Sequence, residues 1–294
     1  MAVPTADPRP LRIALPNKGG LSEPASAMLR EAGYAQRADS RELTLTDADN
    51  GVEFFYLRPR DIATYVGSGE LDVGITGRDL LLDSGASAVE VLALGFGGST
   101  FRFAARPGAV EKMSDLEGQR IASSYPGLVE RHLGAHGVTA RVIRLDGAVE
   151  TAVKLGVADV IADVVSTGAT LRQAGLEVVG EPILQSEAIV IQRDGGTEAG
   201  ELAGPVQQLV RRLQGVLVAQ RYVMLAYDAP VTALEAACAI TPGIESPTVS
   251  PLSREGWVAV QAMIPTRDTN RIMDELYDLG ARAILVTSIH ACRL

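Results

Sequence analysis

The stretch VADVIADVVSTGATL, residues 157–171, decides the fold of this chain. Its first part, up to Val165, is apolar and largely β-branched around two aspartates, which predicts a buried strand of a parallel sheet. Small and hydroxyl-bearing residues follow at once, namely Ser166, Thr167, Gly168, Ala169 and Thr170. Residues 171–174 predict a helix that ends at Gly175, so the stretch indicates a strand, a loop and a helix.

Two interpretations of this loop stay open on the local sequence. A small loop with glycine and hydroxyls between a strand and a helix suits a phosphate, because backbone N–H groups and hydroxyls point at the anion. Asp163, at the strand end, is then placed to accept hydrogen bonds from sugar hydroxyls. The alternative is an ordinary turn in which a serine or threonine caps the helix. The carboxylate before the loop and the Thr-Gly-Ala-Thr run favour the phosphate.

Composition narrows the class of protein. The 294 residues suggest two or three domains, and 47% hydrophobic with 21% charged residues is an ordinary soluble mixture. A net charge of −9 argues against nucleic-acid binding, although a few focused cations can still bind a phosphorylated small molecule. No apolar stretch approaches the ~20 residues of a membrane span. We therefore expect neither a nucleic acid nor a membrane as partner.

The N-terminus and the cysteines indicate the compartment. Residues 1–10 are polar and proline-rich without an apolar core, which predicts a flexible tail and no signal peptide. Cys238 and Cys292 are far apart and show no metal or redox spacing, so free thiols in a reducing cytoplasm are expected.

Charged and aromatic residues follow other predicted strands. Lys18 comes after a strand at 12–16, and Arg58 and Arg60 come after a strand at 52–57. Ligands bind outside the carboxyl ends of strands in open α/β sheets, and arginine offers a fork for phosphate. Tyr125, after a strand near Ile121, is placed to stack on a base or a sugar. The alternatives are a solvated lysine, a pairing of one of the two arginines with Asp61 or Glu53, and a packed loop tyrosine.

Other patterns carry less information. Residues 69–80 resemble the opening stretch, which predicts two lobes that each present a Thr-Gly loop to a shared cleft, although chance explains the likeness equally well. Glu150 lies in the first turns of the helix before the stretch, where a helix dipole alone favours an acid, and its nearness to the stretch leaves a site role open. His132 and His136 have a two-histidine spacing but no further metal ligand in sight, which favours a solvated helix.

The C-terminal part predicts a separate small domain. After a helix at 204–214, we expect a strand at 216–228, a helix at 229–239 and strands at 246–251 and 257–264. A helix at 266–279 and a strand at 283–287 complete the order βαββαβ, which is the ferredoxin-like plan. Such modules often pair their sheets between chains, so either a regulatory domain in an oligomer or a plain packing domain fits.

Taken together, the motifs resemble a known family. They are LPNKG at 15–19, FFYLRPRD at 54–61, VGSGELDVGITG at 66–77, residues 158–171, and ITPGIESPT at 240–248. The chain from about residue 11 to residue 294 is similar to the long form of ATP phosphoribosyltransferase, and most of all to its actinobacterial members.

The resemblance implies an α/β fold with two lobes like a type II periplasmic binding protein, followed by a ferredoxin-like, ACT-like regulatory domain. It places lobe I at 11–100 plus about 186–205, lobe II at 101–185 and the regulatory domain at 215–294. The implied pentosyl transfer joins ATP and phosphoribosyl pyrophosphate to N1-(5-phosphoribosyl)-ATP and pyrophosphate, with Mg²⁺ held by substrate phosphates and no protein metal ligand. Histidine and AMP are the implied inhibitors, and dimers and hexamers the implied assemblies.

The resemblance also implies site residues. Asp163 holds the ribose hydroxyls, and Ser166, Thr167, Gly168, Ala169 and Thr170 cradle the 5-phosphate. The residues implied to line the nucleotide side of the cleft are Lys18, Arg58, Asp79 and Tyr125. The implied catalytic residues are Lys18, Arg58 and Asp163. Those implied to surround the effector histidine are Asp228, Ile244, Thr248 and Ala283. Position 60 departs from the pattern, because Arg60 stands where close relatives are expected to have lysine, and the two cations differ in geometry.

Two other functions remain as alternatives at this stage. One is a different phosphoribosyltransferase that uses the same loop, which product analysis with free bases separates from the first. The other is a non-catalytic nucleotide- or amino-acid-sensing protein with the same two lobes, against which the phosphate loop and the expected lack of a signal peptide weigh.

Overall fold

The computed structural model describes residues 9–165, 168–195 and 204–293, which divide into two compact units. The first unit runs to Gln207 apart from residues 31–33, which group with the second unit from Gln208 onward. No helix among the described residues is long and apolar enough to cross a membrane.

Two sheets and several helices build the first unit. Its strands are β1 (Leu11–Pro16), β2 (Thr44–Asp47), β3 (Val52–Leu57), β4 (Val73–Gly77), β5 (Ala88–Ala93), β6 (Ser99–Ala105), β7 (Arg120–Ser123), β8 (Arg141–Arg144), β9 (Val160–Val165), β10 (Glu177–Ser186) and β11 (Ala188–Arg193). Its helices are α1 (Ser22–Glu31), α2 (Pro59–Gly67), α3 (Arg78–Ser84), α4 (Pro126–Ala135), α5 (Thr151–Lys154) and α6 (Ala169–Gln173).

The two sheets share one plan, and each defines a lobe. Lobe I has the order β2-β3-β1-β4-β11-β5, and lobe II has the order β10-β6-β9-β7-β8. In lobe I, β3, β1 and β4 are parallel and β11 lies antiparallel beside β4. In lobe II, β8, β7 and β9 are parallel and β6 lies antiparallel beside β9. The likeness between 69–80 and 157–171 therefore reflects equivalent strands, β4 and β9.

The chain crosses between the lobes twice. It passes from β5 to β6 through residues 94–98, and it returns from β10 to β11 through Glu187. A carboxylate oxygen of Glu187 accepts a hydrogen bond from the N–H of Gly95 at 3.0 Å. The Arg78 guanidinium donates to Glu187 at 3.2 Å and to Glu90 at 2.8 Å. These contacts tie the two crossings to each other and to the start of α3.

The lobes also meet through α3 and α4. A carboxylate oxygen of Asp83 accepts the N–H of Leu128 at 3.2 Å, in the first turn of α4, where helix N–H groups have no partner within the helix. The backbone of Gly127 lies directly against the carbonyl oxygen of Asp83. A glycine is required there because a Cβ would overlap that oxygen.

The core explains why β9 reads as a continuous apolar run. Val160 and Ala162 pack with Phe101 and Phe103 on one face of sheet II, and Ile161 packs in a second buried cluster on the other face. The strand begins at Val160 and not at Val157, because Val157 donates its N–H to the carbonyl of Ala152 and so belongs to the preceding turn.

The second unit has the expected βαββαβ order. The long helix α7 (Gly204–Arg221) leads into β12 (Tyr222–Pro230), α8 (Leu234–Ile240), β13 (Thr248–Pro251), β14 (Trp257–Pro265), α9 (Thr269–Asp278) and β15 (Arg282–Ser288). The antiparallel sheet has the order β13-β14-β12-β15, as in ferredoxin-like domains.

The predicted strand at 216–228 is wrong in its first part. Residues up to Arg221 continue α7, and the strand begins only at Tyr222. The buried side chains of Leu209, Leu213, Val216 and Leu217 recur at helical spacing. This periodicity outweighs the strand preference of the valines. A glycine is needed at position 215 of this helix because the carbonyl oxygen of Cys292 occupies the place where a Cβ would lie.

We predict that Gly127→Ala lowers the midpoint of thermal unfolding, because its methyl group overlaps the Asp83 carbonyl and overpacking costs about 1–3 kcal/mol. The matched control is Gly134→Ala on the same helix, where no heavy atom lies within 4 Å of the new Cβ. The control should gain about 0.5–1 kcal/mol from helix propensity. Equal midpoints for the two variants would contradict the contact between α3 and α4.

Candidate active site

A cavity of about 290 Å³ lies between the lobes at the ends of their strands. Lobe I contributes Lys18 and Asp79, and lobe II contributes Tyr125 and Val164. Lys18 is exposed in the turn that follows β1, which Gly19 forms with a φ of +83°. The structure thus brings together three of the side chains implied to line the nucleotide side.

Asp79 is held by the second crossing between the lobes. It is only 8% exposed, in the first turn of α3. Its backbone N–H donates to the Ser186 hydroxyl at 3.0 Å, and that hydroxyl donates to the Asp79 carboxylate at 2.9 Å. This reciprocal pair fixes a buried carboxylate in the cleft. Ser186 was not foreseen, because only the return of the chain brings it there.

Tyr125 is packed on two sides. The guanidinium carbon of Arg60 lies 4.5 Å from its ring centre, and the Phe101 ring meets it edge-on at 5.2 Å. Burial, and then the negative charge of Asp79, raise the pKa of the Tyr125 hydroxyl well above its usual value. The hydroxyl therefore stays protonated and can donate a hydrogen bond in the cleft.

A second cavity, of about 250 Å³, follows the loop after β9. Asp163, Gly168 and Thr170 line it together with Glu150. Val164 lines this cavity and the first one, so the two adjoin. Gly168 has a φ of +67°, which favours glycine, and it is followed by the exposed Ala169 and Thr170.

The hydroxyls of Ser166 and Thr167 lie outside the described residues. The loop as described offers space without bulk beside a carboxylate and a hydroxyl. Its assignment to a phosphate stays a prediction.

Asp163 is a partly buried acid beside another acid. One of its carboxylate oxygens accepts the N–H of Val164 at 2.7 Å. Burial raises the pKa of Asp163, the Val164 N–H opposes this, and the charge of Glu150 raises it again. Ala148, two residues before Glu150, has a φ of +46°, a strained backbone conformation of the kind that clusters at functional sites.

The arginines after β3 differ in their surroundings. Arg58 is exposed and its backbone is extended, and its side chain has no hydrogen bond or ion pair with the described residues. Arg60 instead donates to the Ser124 carbonyl at 2.9 Å and lies 3.4 Å from the Asp83 carboxylate. The prediction that one arginine pairs with Asp61 or Glu53 fails for Arg60, which reaches across to lobe II.

Thr76 is structural. It is fully buried, and its hydroxyl donates to the carbonyl of Pro59 at 2.9 Å. Of the first Thr-Gly pair, Gly77 alone lines the cavity in the cleft. The two lobes are alike in topology, but Thr76 does not present its hydroxyl to the cleft, and its counterpart Thr167 lies outside the described residues.

No group of three His, Cys, Asp or Glu side chains suited to a metal ion is found across 9–165, 168–195 and 204–293. His132 packs near Phe103, and His136 directs its Nδ1 at the His132 carbonyl at 2.8 Å. Burial, and then the charge of His136, lower the pKa of His132.

The residues implied for the effector lie along the sheet of the second unit. Asp228 on β12 is in register with Arg282 on β15, and Ala283 beside it has a φ of +51° next to an irregularity in strand pairing. Thr248 begins β13 on the opposite edge, and Ile244 precedes it in the loop. Tyr227 and Thr241 anchor this loop through their hydroxyls at 2.7 Å.

Comparison with known proteins agrees with these features. Residues 58–215 match the family described as HisG, ATP phosphoribosyltransferase, and residues 219–291 match the HisG C-terminal domain. An ATP phosphoribosyltransferase of Streptomyces coelicolor is 65% identical over 97% of this chain and 100% of its own length. That of Mycobacterium tuberculosis is 58% identical over 96% of this chain and 99% of its own.

A solved structure is similar as well. The ATP phosphoribosyl transferase (HisG:HisZ) complex from Thermotoga maritima matches with a TM-score of 0.58 and 27% identity, over 69% of this chain and 96% of that one. Fold, cleft and similarity define a transferase of the glycosyltransferase type in histidine biosynthesis. The chain belongs to the ATP phosphoribosyltransferase family, which confirms the resemblance seen in the motifs, together with the two-lobed α/β fold and its C-terminal domain.

We predict that Asp163→Asn is more stable than the parent chain near neutral pH. Because the pKa of Asp163 is raised in the folded state, ionisation of this carboxyl lowers the free energy of unfolding. The loss is absent below the unfolded-state pKa and becomes complete as the pH rises through the folded-state pKa. The gain in unfolding midpoint should therefore be largest above the folded pKa and shrink as the pH is lowered towards the ordinary pKa of an aspartate.

The control is Asp159→Asn on the same segment. Hydrogen bonds from Arg120 lower the pKa of Asp159, so this variant should lose stability near neutral pH and recover it in acid. If the two variants shift the midpoint in the same direction, the assigned environment of Asp163 is wrong.

Proposed function

We propose that this cleft joins ATP to 5-phosphoribosyl 1-pyrophosphate, giving N1-(5-phosphoribosyl)-ATP and pyrophosphate, the first step of histidine biosynthesis. One observation carries the proposal. In a chain of this family, Asp163 and Thr170 line one cavity, Lys18, Asp79 and Tyr125 line the next, and Val164 joins the two. Two phosphorylated substrates can therefore lie side by side.

The reaction needs positioning more than a protein nucleophile. The adenine N1 forms a bond to the anomeric carbon of the ribose while the bond to the pyrophosphate oxygen breaks, and the electron pair leaves with pyrophosphate. Positive charge develops on the ribosyl ring, and Asp163 and Glu150 lie together in the cavity proposed for that ring. Carboxylates placed where positive charge develops lower the barrier.

The departing pyrophosphate needs cations. Lys18 is exposed and lines the cleft. Arg58 is exposed next to Pro59, which also lines it, and a guanidinium can bind phosphate oxygens in a fork. Mg²⁺, when bound, would neutralise the phosphates and would be held mainly by them. Asp163 and Glu150, which line the cavity proposed for the ribose, would be available for a further bond to it. Holding both substrates in reacting geometry would supply much of the rate.

The second unit is proposed to bind histidine as a feedback inhibitor. Asp228 would pair with the amino group of the effector. Thr248 and Ala283 lie on strands at opposite edges of a four-stranded sheet, and three strand spacings separate such edges by about 14 Å. One histidine is too short to reach both, so we propose that two copies of the sheet share each pocket. The dimers and hexamers and the inhibition by AMP that the family suggests, as well as a cytoplasmic location, belong to this proposal.

The test of the reaction is formation of phosphoribosyl-ATP from the two substrates with Mg²⁺, followed by absorbance and by product analysis. We expect Asp163→Asn and Thr170→Ala to lose about 100-fold or more in kcat/KM, because each removes a group proposed to hold the ribosyl phosphate. Asp159→Asn, just before the start of β9, should keep its activity.

Other outcomes have distinct meanings. Full activity in both site variants would overturn the site assignment while leaving the reaction. Transfer to a free base in place of ATP would favour a different phosphoribosyltransferase. A folded chain that forms no product at all would favour a sensing protein.

We expect saturating histidine to suppress the rate, and Asp228→Asn to raise the inhibitory concentration about 10- to 100-fold with kcat unchanged. The reason is the loss of a charge-assisted hydrogen bond to the ammonium group of the effector. Asp278→Asn, an exposed acid on α9 of the same unit, is the matched control. An unchanged rate in histidine would show that the C-terminal unit is not the sensor.

A further inference from the structure

Arg60 makes three kinds of contact that cross the cleft or border it. From α2 of lobe I, its Nη1 donates to the Ser124 carbonyl of lobe II at 2.9 Å. Its guanidinium carbon lies 4.5 Å from the centre of the Tyr125 ring, also in lobe II. The same Nη1 is 3.4 Å from the Asp83 carboxylate, which accepts the N–H of Leu128 with its other oxygen.

The segment that Arg60 contacts is itself firmly held within lobe II. The Ser124 hydroxyl donates to the carbonyl of Leu145 at 2.7 Å. The Tyr125 N–H donates to the Ser123 hydroxyl at 2.9 Å. Residues 123–125 are therefore anchored to the rest of lobe II. Arg60 thus joins α2 of lobe I to an anchored segment of lobe II.

Its position also relates Arg60 to the cleft. Its guanidinium lies over the ring of Tyr125, which lines the first cavity. A guanidinium that contacts both lobes beside this cavity can set the angle at which the lobes face each other.

We propose that Arg60 is a positioning residue that latches lobe II onto lobe I and holds the Tyr125 ring in place for the nucleotide. The latch is made by the chain's own groups before any substrate binds. Its consequence for the nucleotide rests on the proposed function, whereas the latch itself does not.

A matched control exists in lobe I. Arg12 lies 4.9 Å from the Phe55 ring centre, 3.7 Å from the Glu53 carboxylate and 2.9 Å from the Glu70 carbonyl. These are the same three kinds of contact, but all partners belong to lobe I. Arg12→Ala removes equivalent chemistry without touching the gap between the lobes.

The first experiment measures the distance between the lobes without substrate. Spin labels are placed at exposed Ser68 and Ala135 in a chain whose two cysteines are changed to serine, and labelled subunits are diluted with unlabelled ones. We expect one narrow distance distribution for the parent and for Arg12→Ala, and a broader or longer one for Arg60→Ala. An unchanged distribution in Arg60→Ala would overturn the latch, whatever the activity.

The second experiment separates the steps of the reaction. Arg60→Ala should lose about 100-fold in kcat/KM for ATP, the size expected when reacting groups are misplaced by about 1 Å. Arg60→Lys keeps the charge and a donor but loses the planar stack, so it should lose only about 3- to 10-fold. Arg12→Ala should change neither KM nor kcat.

The outcomes distinguish this inference from the proposed function. If the parent chain makes no phosphoribosyl-ATP but Arg60→Ala still opens the lobes, the function is wrong and the latch stands. If the parent is active and Arg60→Ala keeps both its distance distribution and its KM for ATP, the latch is wrong. Equal losses in Arg12→Ala and Arg60→Ala would show a general effect on stability, which also overturns it.

Discussion

The carboxylate of Glu187 lies where the chain passes between the lobes for the second time, and it holds the first passage through the N–H of Gly95. Two connecting segments that run side by side between the lobes form a hinge, about which the lobes can rotate. Ser186, the preceding residue, holds the buried Asp79 in the cleft. The position of a cleft carboxylate is thereby tied to the hinge, and the geometry of the site depends on how the lobes are joined.

Repulsion between two acids in the cleft lowers the stability of the folded chain when no substrate is bound. Glu150 and Asp163 line one small cavity, and Asp163 is partly removed from water. Two acids in such a place repel each other, and neither has an arginine or lysine ion pair among the described residues. Functional sites commonly keep such unfavourable groups because the charge they stabilise appears only during reaction.

Local patterns predicted most of the elements but not the contacts between them. The apolar run before Val165 predicted a buried strand, because a strand buried on both faces is apolar at every position. The motifs around Lys18, Arg58 and Asp79 indicated the family. The strand predicted from Val216 was wrong, because helical spacing of buried residues outweighed β-branching. Asp83, Ser186 and Glu187 gave no local signal, as their partners lie in other parts of the chain.

The interleaved order of the strands has a consequence for how the protein is made. β11 fills the gap between β4 and β5 in lobe I, and its Ile189 and Ile191 are fully buried there. On the ribosome, the sheet of lobe I is left with an open slot from the synthesis of Ala93 until that of Ala188, and all of lobe II emerges in between. At about 5–20 residues per second this lasts for several seconds. Throughout that time the nascent chain exposes unpaired strand edges, which are templates for pairing with other chains.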